Sequence, residues 1–309
     1  MKIRFSKVDV ILFSMIVFWG ANISVIKVAL RSFHPVVFNC LRFSLATVTM
    51  LILYRDVLKT PPSKKAMISL FFLGILGNTC YQFFFITGVK LSYVSNVSIL
   101  LGTTPIFTAA LTKYLKIEEV HGRLWMGIVL SFSGIVCIVL GGKDFHSGNF
   151  SVNFGDLLIV LASFVWSLYT AFSKKFVNAY SSRHYVLYTV LFGTLSIIPI
   201  SLPYFQYQDW SQIHFFEWAA VIYSALLALV FGYSAWYYGV QKIGSTRTSI
   251  YSNLTPVAGL LVGMIWLGER LTLLQWIGAA IIFAGLMMNR FAKGSVMQPE
   301  LNPGIVSTQ

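Results

Sequence analysis

The amino-acid sequence predicts an all-α, polytopic membrane protein in which ten transmembrane helices form two inverted five-helix repeats. Composition, the length of the apolar stretches and an internal duplication each support this fold class. Of 309 residues, 57% are hydrophobic and only 11% are charged, and the mean hydropathy is +0.74. Because a soluble globular chain carries about 25% charged residues, this composition indicates a membrane protein.

Ten apolar stretches are long enough to cross a membrane. A helix needs about 20 apolar residues to cross a hydrocarbon core about 30 Å thick, whereas barrel strands would appear as alternating segments of about ten residues. The stretches are apolar on all sides, which predicts helices. We place the ten spans at residues 8–30, 35–54, 66–89, 94–115, 124–141, 156–173, 184–203, 218–240, 248–267 and 274–290.

One unit of the sequence occurs twice. Residues 105–118 match residues 256–269 at an offset of 151 positions, and an earlier block that contains Trp19 and Trp166 matches at an offset of 147. Such a repeat indicates a duplicated structural unit, and the polar residues after the last span have little to bury. We therefore divide the chain into a first repeat at 1–145, a second repeat at 146–293 and a disordered cytoplasmic tail at 294–309.

The basic residues lie mainly on one side of the predicted membrane. With the N-terminus inside, seventeen Lys and Arg residues fall in cytoplasmic loops and tails and four fall in outer loops. This bias places both termini in the cytoplasm, and it explains the net charge of +13 without a nucleic-acid partner. Because each repeat has an odd number of spans, the second copy enters from the opposite face. Inverted repeats are typical of transporters whose substrate site lies near the membrane midplane.

Several motifs carry a family resemblance. They are Trp19-Gly20-Ala21-Asn22 in span one, Leu41-Arg42-Phe43 in span two, the paired Thr-Pro of spans four and nine, and Leu267-Gly268-Glu269-Arg270. With the double five-span repeat, they resemble the EamA type of the drug/metabolite transporter superfamily over residues 8–290. The first copy departs from the last motif, with Lys116-Ile117-Glu118-Glu119 in its place.

This resemblance implies ten helices around a central cavity, with spans five and ten at the outside. It also implies export or uptake of small metabolites such as amino acids, without ATP. We expect a multi-pass protein of a bacterial inner (plasma) membrane.

Polar and aromatic side chains inside the spans form the candidate site. Because polar groups are costly in hydrocarbon, they face the bundle interior, a partner or water, and spacings of three or four place them on one helix face. We predict that these faces converge on an aromatic, hydrogen-bonding pocket. The candidate substrate-binding residues are Trp19, Asn22, Arg42, Asn78, Gln82, Trp166, Tyr169, Tyr233, Trp236 and Tyr237. The alternative for each is a structural role, in an aromatic belt or between helices.

For Arg42 the choice between a structural role and substrate binding is the clearest. Arg42 lies about seven residues inside span two, roughly 10 Å below the outer edge at 1.5 Å per residue. Asp9 and Asp156 lie at span ends, so no carboxylate in the interior of a span can neutralise Arg42. Its partner must be backbone carbonyls, water or the substrate. Either it ties span two to a neighbouring helix end, or it binds a substrate carboxylate. Lys27, near the outer end of span one, has the same alternatives in a weaker form.

Pro105 and Pro256 are candidate hinges. Both fall near the middle of a span, where a proline removes a backbone hydrogen bond and kinks the helix. Neighbouring threonines can satisfy the freed carbonyls. Two such kinks at equivalent positions are typical of the discontinuous helices that transporters use. Glu118 and its repeat mate Glu269 are predicted to cap helices or to act at gates.

Two other function classes are disfavoured. An enzyme needs a catalytic cluster, but the Asp, Glu and His residues are scattered at span ends, in loops and in the tail. We therefore predict no catalytic residue, no metal site and no cofactor. A passive channel would need a charged ring or a selectivity filter. The prediction is a secondary transporter of amino acids or related compounds by alternating access, with a small-molecule substrate and membrane lipid as partners. The oligomeric state, transport direction and coupling ion stay open.

Overall fold

The computed structural model describes residues 6–141, 153–267 and 271–290, and within these parts every regular element is helical. The predicted repeat boundary at 145–146, Glu269 and the tail at 294–309 lie outside the described residues. Within these described parts, seven helices are long and apolar enough to cross a membrane. The predicted fold class, an all-α polytopic membrane protein, is therefore confirmed.

Helical segments occupy every predicted span. In chain order they are α1 (Lys7–Ala29), α2 (Pro35–Leu53), α3 (Lys64–Leu91), α4 (Val94–Leu101), α5 (Thr104–Tyr114), α6 (Gly122–Leu140), α7 (Phe154–Ala179), α8 (Ser182–Phe205), α9 (Phe215–Ile243), α10 (Ser245–Tyr251), α11 (Thr255–Leu267) and α12 (Leu273–Arg290). The seven long apolar helices are α1, α2, α3, α6, α7, α8 and α9. The count of ten crossings stays a prediction, because spans four and nine are each built from two short helices and the apolar part of α12, Leu273–Met288, is also shorter than a full span.

Spans four and nine each contain a break in the α-helix just before the proline, at residues 102–103 and at the 3₁₀ turn Ser252–Leu254. Pro105 and Pro256 are the second residues of α5 and α11, where each begins a new helix. A proline is well tolerated in a first turn, because its missing N–H would have no partner there. At the first break the Thr103 hydroxyl donates to the carbonyl of Leu100 at 2.6 Å. The prolines therefore follow a local break in α-helical geometry in each of the two equivalent spans.

Helices α6 and α12 show how the two repeats are related. A Cβ added to Gly134 would lie 2.6 Å from the carbonyl oxygen of Gly278, and one added to Gly285 would lie 2.6 Å from that of Gly127. The pairs 127/278 and 134/285 are each separated by the repeat offset of 151, so the contact is reciprocal and antiparallel. Reciprocal contacts of this kind define a two-fold relation. The axis runs between α6 and α12, perpendicular to both helices.

Other pairs of residues that occupy equivalent positions in the two repeats, which we call repeat mates, are in contact across the same axis. The hydroxyls of Thr47 and Thr194, which are 147 positions apart, are 2.7 Å from each other. The Gln82 amide nitrogen donates to the Tyr233 hydroxyl at 2.8 Å, and these residues are 151 positions apart. Because mates touch only where the axis passes, these pairs locate the axis inside the bundle.

Two lysines at equivalent positions donate hydrogen bonds to main-chain carbonyls at the C-terminal ends of helices. Lys27 donates to the carbonyls of Val89 and Ser92, both at 2.7 Å. Lys174 donates to the carbonyl of Val240 at 2.8 Å. The last carbonyls of a helix have no partner within the helix, and a cation near them is favourable. The structure therefore supports the structural interpretation of Lys27.

Replacing Lys27 with methionine is expected to destabilise the protein without changing substrate affinity. The carbonyls at the end of α3 would lose a charged donor, and such hydrogen bonds contribute about 1.5–3 kcal/mol. Thermal unfolding in detergent should show a lower Tm, while the KM for transport should not change. Lys65→Met, at an exposed position, is the matched control. An altered KM at unchanged Tm would instead place Lys27 in the substrate site.

Candidate functional site

A cavity of about 90 Å³ lies between the two repeats. A single water needs about 10–15 Å³ on the same measure, so the cavity has room for several waters or a small solute. The predicted site residues that line it are Trp19, Asn22, Arg42, Gln82, Trp166 and Tyr233, together with the predicted hinge Pro256. The structure thus brings together residues from α1, α2, α3, α7, α9 and α11.

The remaining predicted site residues do not line this cavity. They are Asn78, Tyr169, Trp236 and Tyr237, and the predicted hinge Pro105 is likewise absent from the wall. Sequence reasoning in turn missed wall residues with hydroxyl groups, namely Tyr81, Ser98, Thr104, Ser163, Ser252 and Thr255. One signal was available, because Thr104 and Thr255 are repeat mates that flank the two prolines.

Three indole and phenol rings form one side of the cavity. The ring centroids of Trp19 and Trp166, which are repeat mates, are 5.9 Å apart in an edge-to-face arrangement. Those of Trp166 and Tyr233 are 5.2 Å apart. The Trp19 indole donates to the carbonyl of Ala228 at 3.0 Å, which fixes its orientation. Since Trp19 meets Trp166 and Gln82 meets Tyr233, the cavity lies on the pseudo-two-fold axis.

Gly232 sets how closely α9 approaches the Trp19 ring. A Cβ at this position would lie 2.3 Å from the Trp19 Nε1 atom. Overpacking of this kind costs about 1–3 kcal/mol, so Gly232→Ala is expected to lower Tm and to weaken substrate binding by about tenfold. Tryptophan fluorescence would report the displaced ring. Gly259→Ala is the matched control, because the atom nearest to its added Cβ would be 3.8 Å away. Equal changes of Tm and of substrate binding in both variants would contradict the close approach of Gly232 to the Trp19 ring.

Asn78 joins two helices instead of facing the cavity. Its amide nitrogen donates to the carbonyl of Thr189 at 2.9 Å and lies 3.4 Å from the Tyr169 hydroxyl. A Cβ at Gly193 would lie 2.3 Å from that of Asn78, so α3 and α8 approach closely here. The structure therefore favours the helix–helix interpretation for Asn78.

Tyr169, Trp236 and Tyr237 belong to a buried aromatic cluster beside the cavity. The ring of Tyr237 is 5.4 Å from that of Tyr169 and 4.7 Å from that of Tyr185. The Trp236 indole donates to the Thr170 hydroxyl at 3.2 Å. Tyr237 lies one helical turn beyond Tyr233, toward the C-terminal end of α9. The cluster therefore fills the interior between the cavity and that end of the molecule.

Arg42 is buried at the cavity wall, with 1% of its surface exposed. Its Nε donates to the Asn39 side-chain oxygen at 2.8 Å, and its Nη2 donates to the side-chain oxygen of Gln82. The Phe38 and Phe43 rings lie 5.5 and 5.6 Å from its guanidinium carbon. These partners are all neutral. The structure thus supports contacts to side-chain amides, where the sequence suggested backbone carbonyls, water or substrate.

Two aspartates at equivalent positions tie the repeats together at opposite ends. Asp9 forms a capping box with Ser6 at the start of α1 and accepts a hydrogen bond from the Tyr251 hydroxyl. Asp156 forms a capping box at the start of α7 and accepts from the hydroxyl of Ser92 and the amide of Asn96. We refer to these as the Asp9 contact and the Asp156 contact. Each joins the first helix of one repeat to an interrupted span of the other.

The sequence and this architecture match a known family. The profile of the EamA-like transporter family matches residues 6–140 and, a second time, residues 153–291. The chain belongs to the EamA-like transporter family. Membership assigns it to a transporter family, the class that the sequence predicted. Within the described residues, no group of three or more His, Cys, Asp or Glu side chains is placed to hold a metal ion.

Proteins of similar sequence occur in bacteria and archaea. The uncharacterized transporter YyaM of Bacillus subtilis is 27% identical over 95% of this chain and 95% of its own length. An uncharacterized transporter of Archaeoglobus fulgidus is 28% identical over 92% of this chain and 97% of its own. A probable amino-acid metabolite efflux pump of Escherichia coli is 27% identical over 90% and 92%. A solved crystal structure, 18% identical, shares the fold with a TM-score of 0.75 over 92% of this chain and 96% of its own.

Proposed function

We propose that this EamA-like protein is a secondary transporter that moves amino acids or related small metabolites across a bacterial inner membrane by alternating access. The observation that supports it best is the position of the cavity on the pseudo-two-fold axis, where Trp19 meets Trp166 and Gln82 meets Tyr233. Substrate sites of inverted-repeat transporters lie at this place, between discontinuous helices. The Escherichia coli relative named as an amino-acid metabolite efflux pump supports amino acids as the substrate class.

The two end contacts suggest how access alternates. Asp9 holds α1 to α10 at one end, and Asp156 holds α7 to α4 at the other through Asn96. The repeats are inverted copies, so the Asp9 contact and the Asp156 contact are related by the pseudo-two-fold axis. Breaking the Asp9 contact should open one end of the protein, and breaking the Asp156 contact should open the opposite end in the same way. In our proposal the protein releases one contact at a time, so that the cavity opens to one side only. In the predicted topology, which has the N-terminus in the cytoplasm, the Asp9 contact lies at the cytoplasmic face.

A transport assay in liposomes tests the proposal. Purified protein is reconstituted and uptake of labelled amino acids is measured with and without the same amino acid inside. A carrier that alternates its access should show saturable uptake that is stimulated by internal substrate, whereas a channel should show no such stimulation. Absence of uptake of every amino acid under any ion gradient would contradict the proposal.

A pair of tryptophan variants tests whether the cavity is the transport site. Trp166→Phe alters the cavity wall, whereas Trp276→Phe alters an exposed position on α12. The first is expected to reduce uptake by about tenfold or more, as for a contact of about 1.4 kcal/mol or more. The second should leave uptake unchanged. Equal uptake by both variants and the unmodified protein would remove this cavity from the pathway.

A further inference from the structure

We propose that the Arg42 guanidinium binds the carboxylate of the transported metabolite, and that Asn39 and Gln82 orient it for this contact. The inference rests on the proposed transport function and adds to it the group by which the substrate is recognised, a free carboxylate, and the residue that binds this group. Arg42 would be the anchoring residue. Asn39 and Gln82 would be positioning residues, because they act through Arg42.

The first observation is a buried positive charge that has no negative partner among the described residues. Arg42 is 1% exposed and lines the cavity. No described Asp or Glu side chain forms an ion pair with Arg42; the exposed pairs Arg183–Asp56 and His121–Glu119 do not involve it. A buried charge is costly unless it is paired. The charge of Arg42 is therefore available to neutralise an anion that enters the cavity.

The second observation is the chemistry of the residues that hold Arg42. Its Nε and Nη2 donate to the side-chain oxygens of Asn39 and Gln82, which are neutral amides. Amides fix the direction of a guanidinium as carboxylates do, but they leave its charge intact. The phenyl rings of Phe38 and Phe43 stabilise a cation, and they likewise add no negative charge.

The third observation is that the two amides that hold Arg42, those of Asn39 and Gln82, are themselves held in place; we refer to these two side chains as the amide clamp. The Gln82 amide nitrogen donates to the Tyr233 hydroxyl at 2.8 Å. The Asn39 amide nitrogen donates to the main-chain carbonyl of Gln82 at 3.3 Å. Each amide therefore has its oxygen directed to Arg42 and its nitrogen to another acceptor. The remaining guanidinium nitrogen, Nη1, makes no hydrogen bond to the described residues, which leaves donors for a carboxylate in the cavity.

Substrate pairs test the inference on the unmodified protein. Common amino acids are each compared with their own carboxamide, which keeps the side chain and the ammonium group and loses the negative charge. In detergent, the amino acids are expected to raise Tm and their carboxamides to bind at least tenfold more weakly. In liposomes, the amino acids should compete for uptake and the carboxamides should not. Carboxamides that bind as well as the acids would overturn the inference.

A single isosteric substitution tests whether the amide clamp must be neutral. Gln82→Glu places a carboxylate beside the guanidinium and supplies the missing negative charge internally. This variant is expected to lose affinity for amino acids by at least tenfold while its affinity for carboxamides is kept. Gln206→Glu makes the same change at an exposed position and should keep both affinities. If Gln82→Glu does not fold, Asn39→Asp is the second variant, with the same expectation.

The two readouts separate failure of this inference from failure of the proposed function. Uptake of amino acids together with unchanged carboxylate affinity in Gln82→Glu would overturn the role of Arg42 alone. Carboxylate-dependent binding without any uptake would contradict the transport proposal and support the Arg42 site. If no carboxylate raises Tm at all, the inference is overturned whether or not uptake is seen.

Discussion

Gly134→Leu is expected to prevent the two repeats from packing together and to abolish the folded protein. Even a Cβ at Gly134 would lie 2.6 Å from the Gly278 carbonyl oxygen and 2.9 Å from the Ile282 nitrogen. These are backbone atoms, so α6 and α12 would have to separate. Overpacking by a methyl group costs about 1–3 kcal/mol, and a leucine should exceed that range. Close helix approach in membranes depends on such small residues.

Thermal unfolding in detergent and the yield of monodisperse protein measure this effect. Gly134→Ala and Gly278→Ala should each lower Tm by similar amounts, because they disturb the two sides of one reciprocal contact. The double variant should be less destabilised than the sum, since both changes act on the same contact. Gly122→Ala is the matched control on the same helix, with nothing within 4 Å of the added Cβ. An equal Tm for Gly134→Ala and Gly122→Ala would contradict the close approach.

Tyr251→Phe and Ser92→Ala are expected to shift the access of the cavity in opposite directions. Tyr251→Phe removes a hydrogen bond to the Asp9 carboxylate, and Ser92→Ala removes one to the Asp156 carboxylate. A hydrogen bond to a charged group contributes about 1.5–3 kcal/mol, which corresponds to a change in populations of tenfold or more. Each variant should favour the state that is open at the end where its contact is lost.

Labelling of one cavity residue from each side of the membrane measures these populations. Ser163→Cys provides the reactive group in the cavity wall, with the native residues Cys40, Cys80 and Cys137 replaced. Tyr251→Phe should speed labelling by a membrane-impermeant thiol reagent from the side of Asp9, and Ser92→Ala from the side of Asp156. Tyr54→Phe is the matched control, because the Tyr54 hydroxyl contacts Ser234 and neither aspartate. Faster labelling from the same side in both variants would contradict the role of the end contacts.

The helices themselves follow from local sequence. The prediction of a span at 35–54 compares with Pro35–Leu53 in the structure, and that at 184–203 compares with Ser182–Phe205. Hydropathy and helix length are properties of a continuous stretch of chain, so they can be read without knowledge of packing. The internal duplication is likewise visible in sequence. It identified Trp19 and Trp166 as mates before their contact was known.

The candidate site was only partly predictable, and α3 shows why. Asn78 and Gln82 are four positions apart, so a regular α-helix would place them on one face. The structure has a π-helical turn at Ile75–Cys80, which contains Asn78 and widens the helix locally. Because such a turn changes the angular spacing of side chains, Gln82 reaches the cavity while Asn78 contacts α8.

By itself, the sequence determined the fold class, the positions of the helical spans and the pairing of the two repeats. Each of these depends on local apolarity or on self-similarity along the chain. Only the tertiary structure decided that Arg42 has amide partners, that the prolines begin new helices, and that Asp9 and Asp156 join the repeats at opposite ends. These features depend on contacts between residues distant in sequence. Their formation is set by how helices pack, which the apolar pattern of any single span does not specify.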